Sequence, residues 1–172
     1  KRSDGLQQIT KSFVNICIAG THGKTTTSTM VAHILRHSDF GCNAFLGGIS
    51  VNYDTNYWSS NNNVSIIEAD EYDRSFLKLS PDIALISAMD ADHLDIYGTK
   101  ENMENAFIEF SENMKKDGLL LINYKLNLLL FFWCLRSYAL KSRLNEYTTL
   151  VSTVIHNTLS LNMLKLEFHT RI

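Results

Sequence analysis

Residues 13–26 read FVNICIAGTHGKTT, an apolar run that leads straight into a glycine loop and then into a helix-forming stretch. A short apolar run of this kind, closed by glycine, suits a strand buried on both faces, as in a parallel sheet. The spacing of Thr27 (through its methyl), Val31, Ile34 and Leu35 predicts a helix from Lys24 to about His37. The usual phosphate-loop pattern sets four residues between its first glycine and the Gly-Lys-Ser/Thr. Here only Thr21 and His22 separate Gly20 from Gly23, and Ile18 stands where the first glycine would be. The strand–loop–helix context still places successive backbone N–H groups around an anion. Gly23 lets the backbone approach closely, Lys24 can reach outer phosphates, and the Thr25 hydroxyl can ligate magnesium.

Further strands are expected at 42–46, 64–67 and 83–86, the last after the helix-stopping Ser80-Pro81, and another at 119–122. The polar stretch 47–63 reads as a loop or hairpin. A helix is predicted over 100–116. Thr99 caps its start, Met103, Phe107, Phe110 and Met114 form its apolar stripe, two lysines suit its negative end, and Gly118 stands at the C-terminal cap. Strands alternating with helices give an α/β class, a mainly parallel sheet flanked by helices in a P-loop-like mononucleotide-binding fold.

Two acidic clusters follow predicted strands. EADEYD, 68–73, fits a solvated loop, and it equally fits an acid at a strand's carboxyl end that holds a nucleotide's metal, with Glu68 placed for that role. MDADHLDIYG, 89–98, gathers Asp90, Asp92, His93 and Asp95; His93 is either a ligand or acid/base group, or a loop histidine paired with an aspartate. Ligands of open α/β sheets bind beyond the carboxyl ends of the strands, where the glycine loop and both clusters converge. His33 and His37 have a metal-ligand spacing, but no glutamate follows the first as in HExxH, so a solvated face is expected. Tyr57 and Trp58 are expected to pack rather than bind.

The net charge of −2 gives no reason to expect nucleic acid or an anionic membrane as partner. Cys17, Cys42 and Cys134, without CxxC spacing, argue for a reducing compartment. No signal peptide pattern opens the chain, and the run at 128–135 is too short for a membrane span, so the cytoplasm is the expected location. Residues 1–118 carry 16 acids against 10 Lys or Arg, and the balance reverses beyond Gly118. Domain organisation is expected as 1–125, holding every motif, and 126–172 as a divergent continuation.

GTHGKTTT, EADEYDRSFL and DADHLDIYG, in this order and at these intervals, resemble the central ATP-binding domain of the Mur ligases over roughly residues 1–125. The histidine-containing loop together with EADE is similar to the L-alanine-adding branch. The resemblance implies an ATP- and magnesium-dependent ligase of peptidoglycan precursors, acting on UDP-N-acetylmuramate and L-alanine through an acyl phosphate. It implies that Gly20, Thr21, His22, Gly23, Lys24, Thr25 and Thr26 cradle the ATP phosphates. Lys24 would stabilise the transferring phosphoryl group, and Thr25 and Glu68 would hold one magnesium. His93, with Glu68 bridging, would hold or orient a second. The family's amino- and carboxyl-terminal domains are expected outside this chain, which reads as a fragment, inactive alone. Ala88 stands where many members have asparagine, and the adenine-serving HN-x-x-N element is not recognisable at His156, Asn157 and Asn162. A murein tripeptide-recycling ligase and a nucleotide-binding module without ligase activity are the alternatives. An ordinary P-loop NTPase or kinase lacks support, since the longer loop and its aspartate partner are missing.

Overall fold

The computed structural model describes residues 2–123 and 126. The expected continuation at 126–172, with Cys134, the run at 128–135 and His156, lies outside the described residues apart from Leu126. In chain order the elements are α1 (Arg2–Thr10), β1 (Val14–Ala19), α2 (Lys24–His37), β2 (Asn43–Ser50), β3 (Thr55–Trp58) and β4 (Val64–Glu68). A 3₁₀ turn (Ser75–Lys78), β5 (Ile83–Ile86), α3 (Leu94–Tyr97), α4 (Lys100–Glu112) and β6 (Leu119–Ile122) follow. The six strands form one sheet in the order β3-β2-β4-β1-β5-β6. All neighbours are parallel except β2 and β3, which make an antiparallel hairpin from the polar stretch.

The apolar run at 14–19 becomes the strand between β4 and β5, and Cys17, Ile18 and Ala19 are buried. Chain order reverses around it: β2 and β4 lie on one side, β5 and β6 on the other. A crevice at the carboxyl ends is the geometric consequence of such a reversal. In register, Ile18 lies opposite both Glu68 of β4 and Leu85 of β5, so three strand ends finish side by side. At the opposite end, Asn15 makes the closure: its side chain donates to the Thr10 and Ser80 carbonyls at 3.1 and 3.2 Å and accepts from Ser65 at 2.6 Å.

α2 packs on the sheet over Ile18, Ala44, Leu46 and Ile66, using Ala32 with Val31 and Leu35. Its fully buried positions are Ser28 and Ala32, whereas Ile34 is exposed, so the expected stripe is rotated slightly around the helix. α4 buries Met103, Ala106, Phe107 and Phe110. Phe76 of the 3₁₀ turn meets Phe107 edge-on at 5.4 Å and stacks on Phe110 at 5.1 Å.

The far end of α4 needs correcting. The helix stops at Glu112, with Asn113 as its C-cap, instead of continuing to Lys116. Lys115 is drawn to the sheet, where its ammonium donates to Asp82 at 2.8 Å and to the Phe13 carbonyl at 2.7 Å. The left-handed residue of this connection is Asp117, not Gly118. Gly118 answers to space: a Cβ there would lie 2.8 Å from the Met114 methyl and 3.0 Å from the Lys115 carbonyl. Helices α1 and α3 and the 3₁₀ turn are additions to the expected elements.

Candidate functional site

The glycine loop bridges β1 and α2 and is bonded to the segment after β5. Thr21 N donates to the Ala88 carbonyl at 3.0 Å, and the Thr21 hydroxyl accepts from Asp90 N at 3.1 Å. The Ser87 hydroxyl donates to the carbonyls of Ala19 and His22. This close approach is why residue 20 lacks a side chain. Gly20 has φ +128°, and a Cβ there would lie 2.3 Å from Ser87 Oγ and 2.8 Å from Ala88 N. Gly23 has φ +81° with open space where its Cβ would be.

These two glycines predict different losses. Gly20→Ala should cost about 3 kcal/mol or more, combining overpacking with a left-handed backbone. Gly23→Ala should cost only about 1–2 kcal/mol, from backbone conformation alone. Urea denaturation of the two variants tests this, and equal losses would contradict the packing of the loop against residues 87 and 88.

α2 begins directly after the loop, and no side chain caps its first turn. Its first backbone N–H groups therefore remain donors for an anion. Thr26 and His22 are exposed, and His22 Nε2 lies 3.5 Å from Asp90 Oδ2. Lys24 folds back across the loop. Its Nζ donates to the Gly20 carbonyl at 2.9 Å and to Glu71 Oε1 at 2.9 Å, and lies 2.9 Å from Glu71 Oε2 as well.

Thr25 makes the second cluster. Its hydroxyl donates to Glu68 Oε1 at 2.7 Å, across from the end of β4. Glu68 Oε2 accepts from Gly47 N at 2.6 Å and from the Ser28 hydroxyl at 3.4 Å. Gly47 is another close approach, since a Cβ there would fall 2.4 Å from Glu68 Oε1. Two hard oxygen donors, one anionic, beside an uncapped helix start fit a magnesium ion that completes its shell with phosphate and water. Among the described residues no group of three or more His, Cys, Asp or Glu could hold a metal on its own. Bound phosphate would have to share the coordination.

His93 sits at φ +50° as the N-cap of α3. Its Nε2 lies 3.7 Å from both Glu71 Oε1 and Asp92 Oδ2, and its ring meets Tyr72 edge-on at 5.0 Å. The structure thus groups Lys24, Glu71 and His93 together, and separately Thr25, Glu68 and Ser28. His93 lies beside Glu71 and Asp92 rather than Glu68.

Glu71 escaped the sequence analysis. It is fully buried, and its backbone carbonyl accepts from the Tyr97 hydroxyl at 2.6 Å. Burial pushes the Tyr97 phenol up to about 12, so it remains a donor at any physiological pH. The only sequence signal for Glu71 was membership of an acid-rich motif. Its partner Lys24, 47 residues away, appears only in the fold.

The remaining candidates have partners of their own: Trp58 is buried, while His37 and Tyr57 stay exposed. His33 Nδ1 is 2.7 Å from the Tyr53 hydroxyl, and His33 stacks on His37 at 5.6 Å. Burial, with His37 beside it, lowers the His33 pKa. Trp58 is buried against Tyr53, while Tyr57 is exposed and packs beside Phe45. Cys17 and Cys42 are free, buried thiols whose pKa values burial raises, which leaves them unreactive. Among the described residues no helix is long and apolar enough to cross a membrane.

Comparison with known proteins places this geometry. The Mur ligase middle domain matches residues 18–133. The UDP-N-acetylmuramate-L-alanine ligase of Parabacteroides distasonis is 52% identical over 128 residues, covering 74% of this chain and 28% of that protein. The chain therefore spans little more than a quarter of such a relative's length. Among solved structures, the UDP-N-acetylmuramate-alanine ligase MurC of Thermotoga maritima is 35% identical with a TM-score of 0.62, covering 72% of this chain and 28% of that one. The UDP-N-acetylmuramate:L-alanyl-gamma-D-glutamyl-meso-diaminopimelate ligase of Neisseria meningitides has a TM-score of 0.69 over 78% of this chain and 46% of that one. Its 24% identity makes it a likeness of fold alone.

Proposed function

Because this chain belongs to the Mur ligase family through its middle domain, we propose that it forms the ATP- and magnesium-binding part of a ligase joining L-alanine to UDP-N-acetylmuramate. The observation that carries this is the pairing at the mouth of the loop. Lys24 is held between Gly20 and Glu71, and Thr25 and Glu68 lie 2.7 Å apart beside the uncapped start of α2. The similarity at 52% identity to an L-alanine ligase supports that branch over the tripeptide-recycling one. Residues 1–125 are then the central domain and 126–172 its continuation. The partners are small substrates and the ligase's other domains, in the cytoplasm, with no role for nucleic acid or membrane.

In the proposed reaction a carboxylate oxygen of UDP-N-acetylmuramate attacks the γ-phosphorus of ATP, and ADP leaves. The amino nitrogen of L-alanine then attacks the resulting acyl phosphate, loses a proton, and phosphate departs from the tetrahedral intermediate. The residues from Gly20 to Thr26 supply backbone donors to the phosphates, and Lys24 supplies positive charge to the transferring group. Thr25 and Glu68 would hold a magnesium ion, whose contribution is neutralisation of phosphoryl charge. His93 would hold or orient a second ion from its place beside Glu71 and Asp92. Positioning and charge supply most of the acceleration, as is general for phosphoryl transfer.

The test is phosphate release by a full-length ligase carrying this domain, given ATP, magnesium and UDP-N-acetylmuramate. L-alanine should support release at least about a hundredfold better than the murein tripeptide, because a site built around one amine acceptor rejects the wrong one by such factors. Release with the tripeptide and none with L-alanine would move the domain to the recycling branch. Release with neither would leave a nucleotide-binding module.

A further inference from the structure

Glu71 does no more than hold Lys24 in the reading above, yet it is fully buried. Its carboxylate is fully buried and Lys24 Nζ lies 2.9 Å from each oxygen. Oε1 takes the hydrogen bond, and Oε2 is held by the same ammonium as an ion pair. A buried carboxylate left in this state is costly without its cation, so it binds the ammonium strongly. The Lys24 side chain is itself only 14% exposed.

We propose that Glu71 is an internal competitor for the Lys24 ammonium, holding it until a polyphosphate takes it over, and so sets how tightly the glycine loop binds its ligand. This rests on the nucleotide-binding reading of the loop. The geometry makes the lysine the moving part. Glu71 is fixed by the Tyr97 hydroxyl on its backbone carbonyl, and Tyr97 is in turn anchored by Asn102, whose side-chain amide donates to the Tyr97 carbonyl at 2.9 Å. The Lys24 ammonium, at the end of a long flexible side chain, is held by Glu71 and by the Gly20 carbonyl. His93 Nε2 lies 3.7 Å from Glu71 Oε1, beside the same carboxylate.

The competition has a defined sign. Removing the negative charge of Glu71 while keeping its shape frees Lys24 and removes repulsion of incoming phosphate, so binding should tighten. A purely structural role would loosen it.

The experiment uses the whole 172-residue chain. Calorimetry with Mg-ATP and with magnesium tripolyphosphate is run on wild type, Glu71→Gln and Glu71→Asp. Glu71→Gln should bind both about tenfold more tightly, equivalent to about 1.4 kcal/mol, with Glu71→Asp close to wild type because its charge remains. Affinity in a folded Glu71→Gln that is unchanged or weaker overturns the competition. Should that variant not fold, NMR of wild type decides: on adding tripolyphosphate the Lys24 Nζ and Glu71 side-chain carboxyl resonances should shift together. A ligand-saturated chain in which the Glu71 carboxyl does not shift overturns the proposal. Wild type showing a protected Lys24 ammonium but no uptake of either ligand would instead refute the nucleotide-binding reading, and the competition with it.

Discussion

In a full-length ligase carrying this domain, Glu68→Ala should lower L-alanine-dependent phosphate release by about a thousandfold, the several kcal/mol that a bound metal supplies to phosphoryl transfer. The reason is local. Among the described residues Glu68 is the carboxylate bonded to the Thr25 hydroxyl, at 2.7 Å, and its second oxygen is held by Gly47 N. Without it the hydroxyl would face a magnesium ion with no anionic protein ligand beside it. Raising the magnesium concentration should recover part of the lost rate, a response that loss of packing would not give. Glu68→Gln, which keeps the shape, should behave like alanine in rate while retaining more of the fold. Normal turnover in either variant would refute the metal assignment.

Lys24→Ala should weaken Mg-ATP binding by this chain about a hundredfold, within the 2–5 kcal/mol range for truncating one partner of a close charge pair. The loss of affinity comes from the phosphates losing their cation. Glu71 is left buried without its counter-ion whether or not ligand is bound. That predicts a companion drop in stability, so binding is to be compared at a temperature where the variant is folded. Lys24→Arg should rescue the charge but not the fit, because a guanidinium cannot take the place of a compact ammonium between Gly20 and Glu71. Unchanged affinity in Lys24→Ala would sink the loop assignment.

The parts of the fold legible in the sequence are those governed by burial period. β1 is apolar apart from Asn15 because parallel strands are covered on both faces, and α4 is amphipathic because only one face is covered. The convergence of the glycine loop, Glu68 and the His93 segment on one sheet edge was also legible, since each follows a strand. What escaped depends on contacts distant in sequence. α1 carries little apolar pattern and is tied down by the ion pair between Asp4 and Lys78. α4 ends early because Lys115 bonds to Asp82 and Phe13. EADEYD offered several acids of similar standing, and only the fold separates Glu68, reaching Thr25, from Glu71, reaching Lys24. α3, with four residues, is too short to show a period at all.

The sheet register also accounts for the shortened form of the glycine loop. Its missing first glycine falls at Ile18, which is buried inside β1 and pairs with β4 and β5, so no loop residue was needed there. The close approach that a glycine would serve has moved to Gly20, against Ser87 and Ala88.

Amide NMR of the chain titrated with Mg-ATP tests directly whether this loop is the phosphate site. The backbone N–H signals of Gly20 to Thr26 should shift most and saturate together. Saturating shifts that leave those residues untouched, or no saturable shift at all, would contradict it.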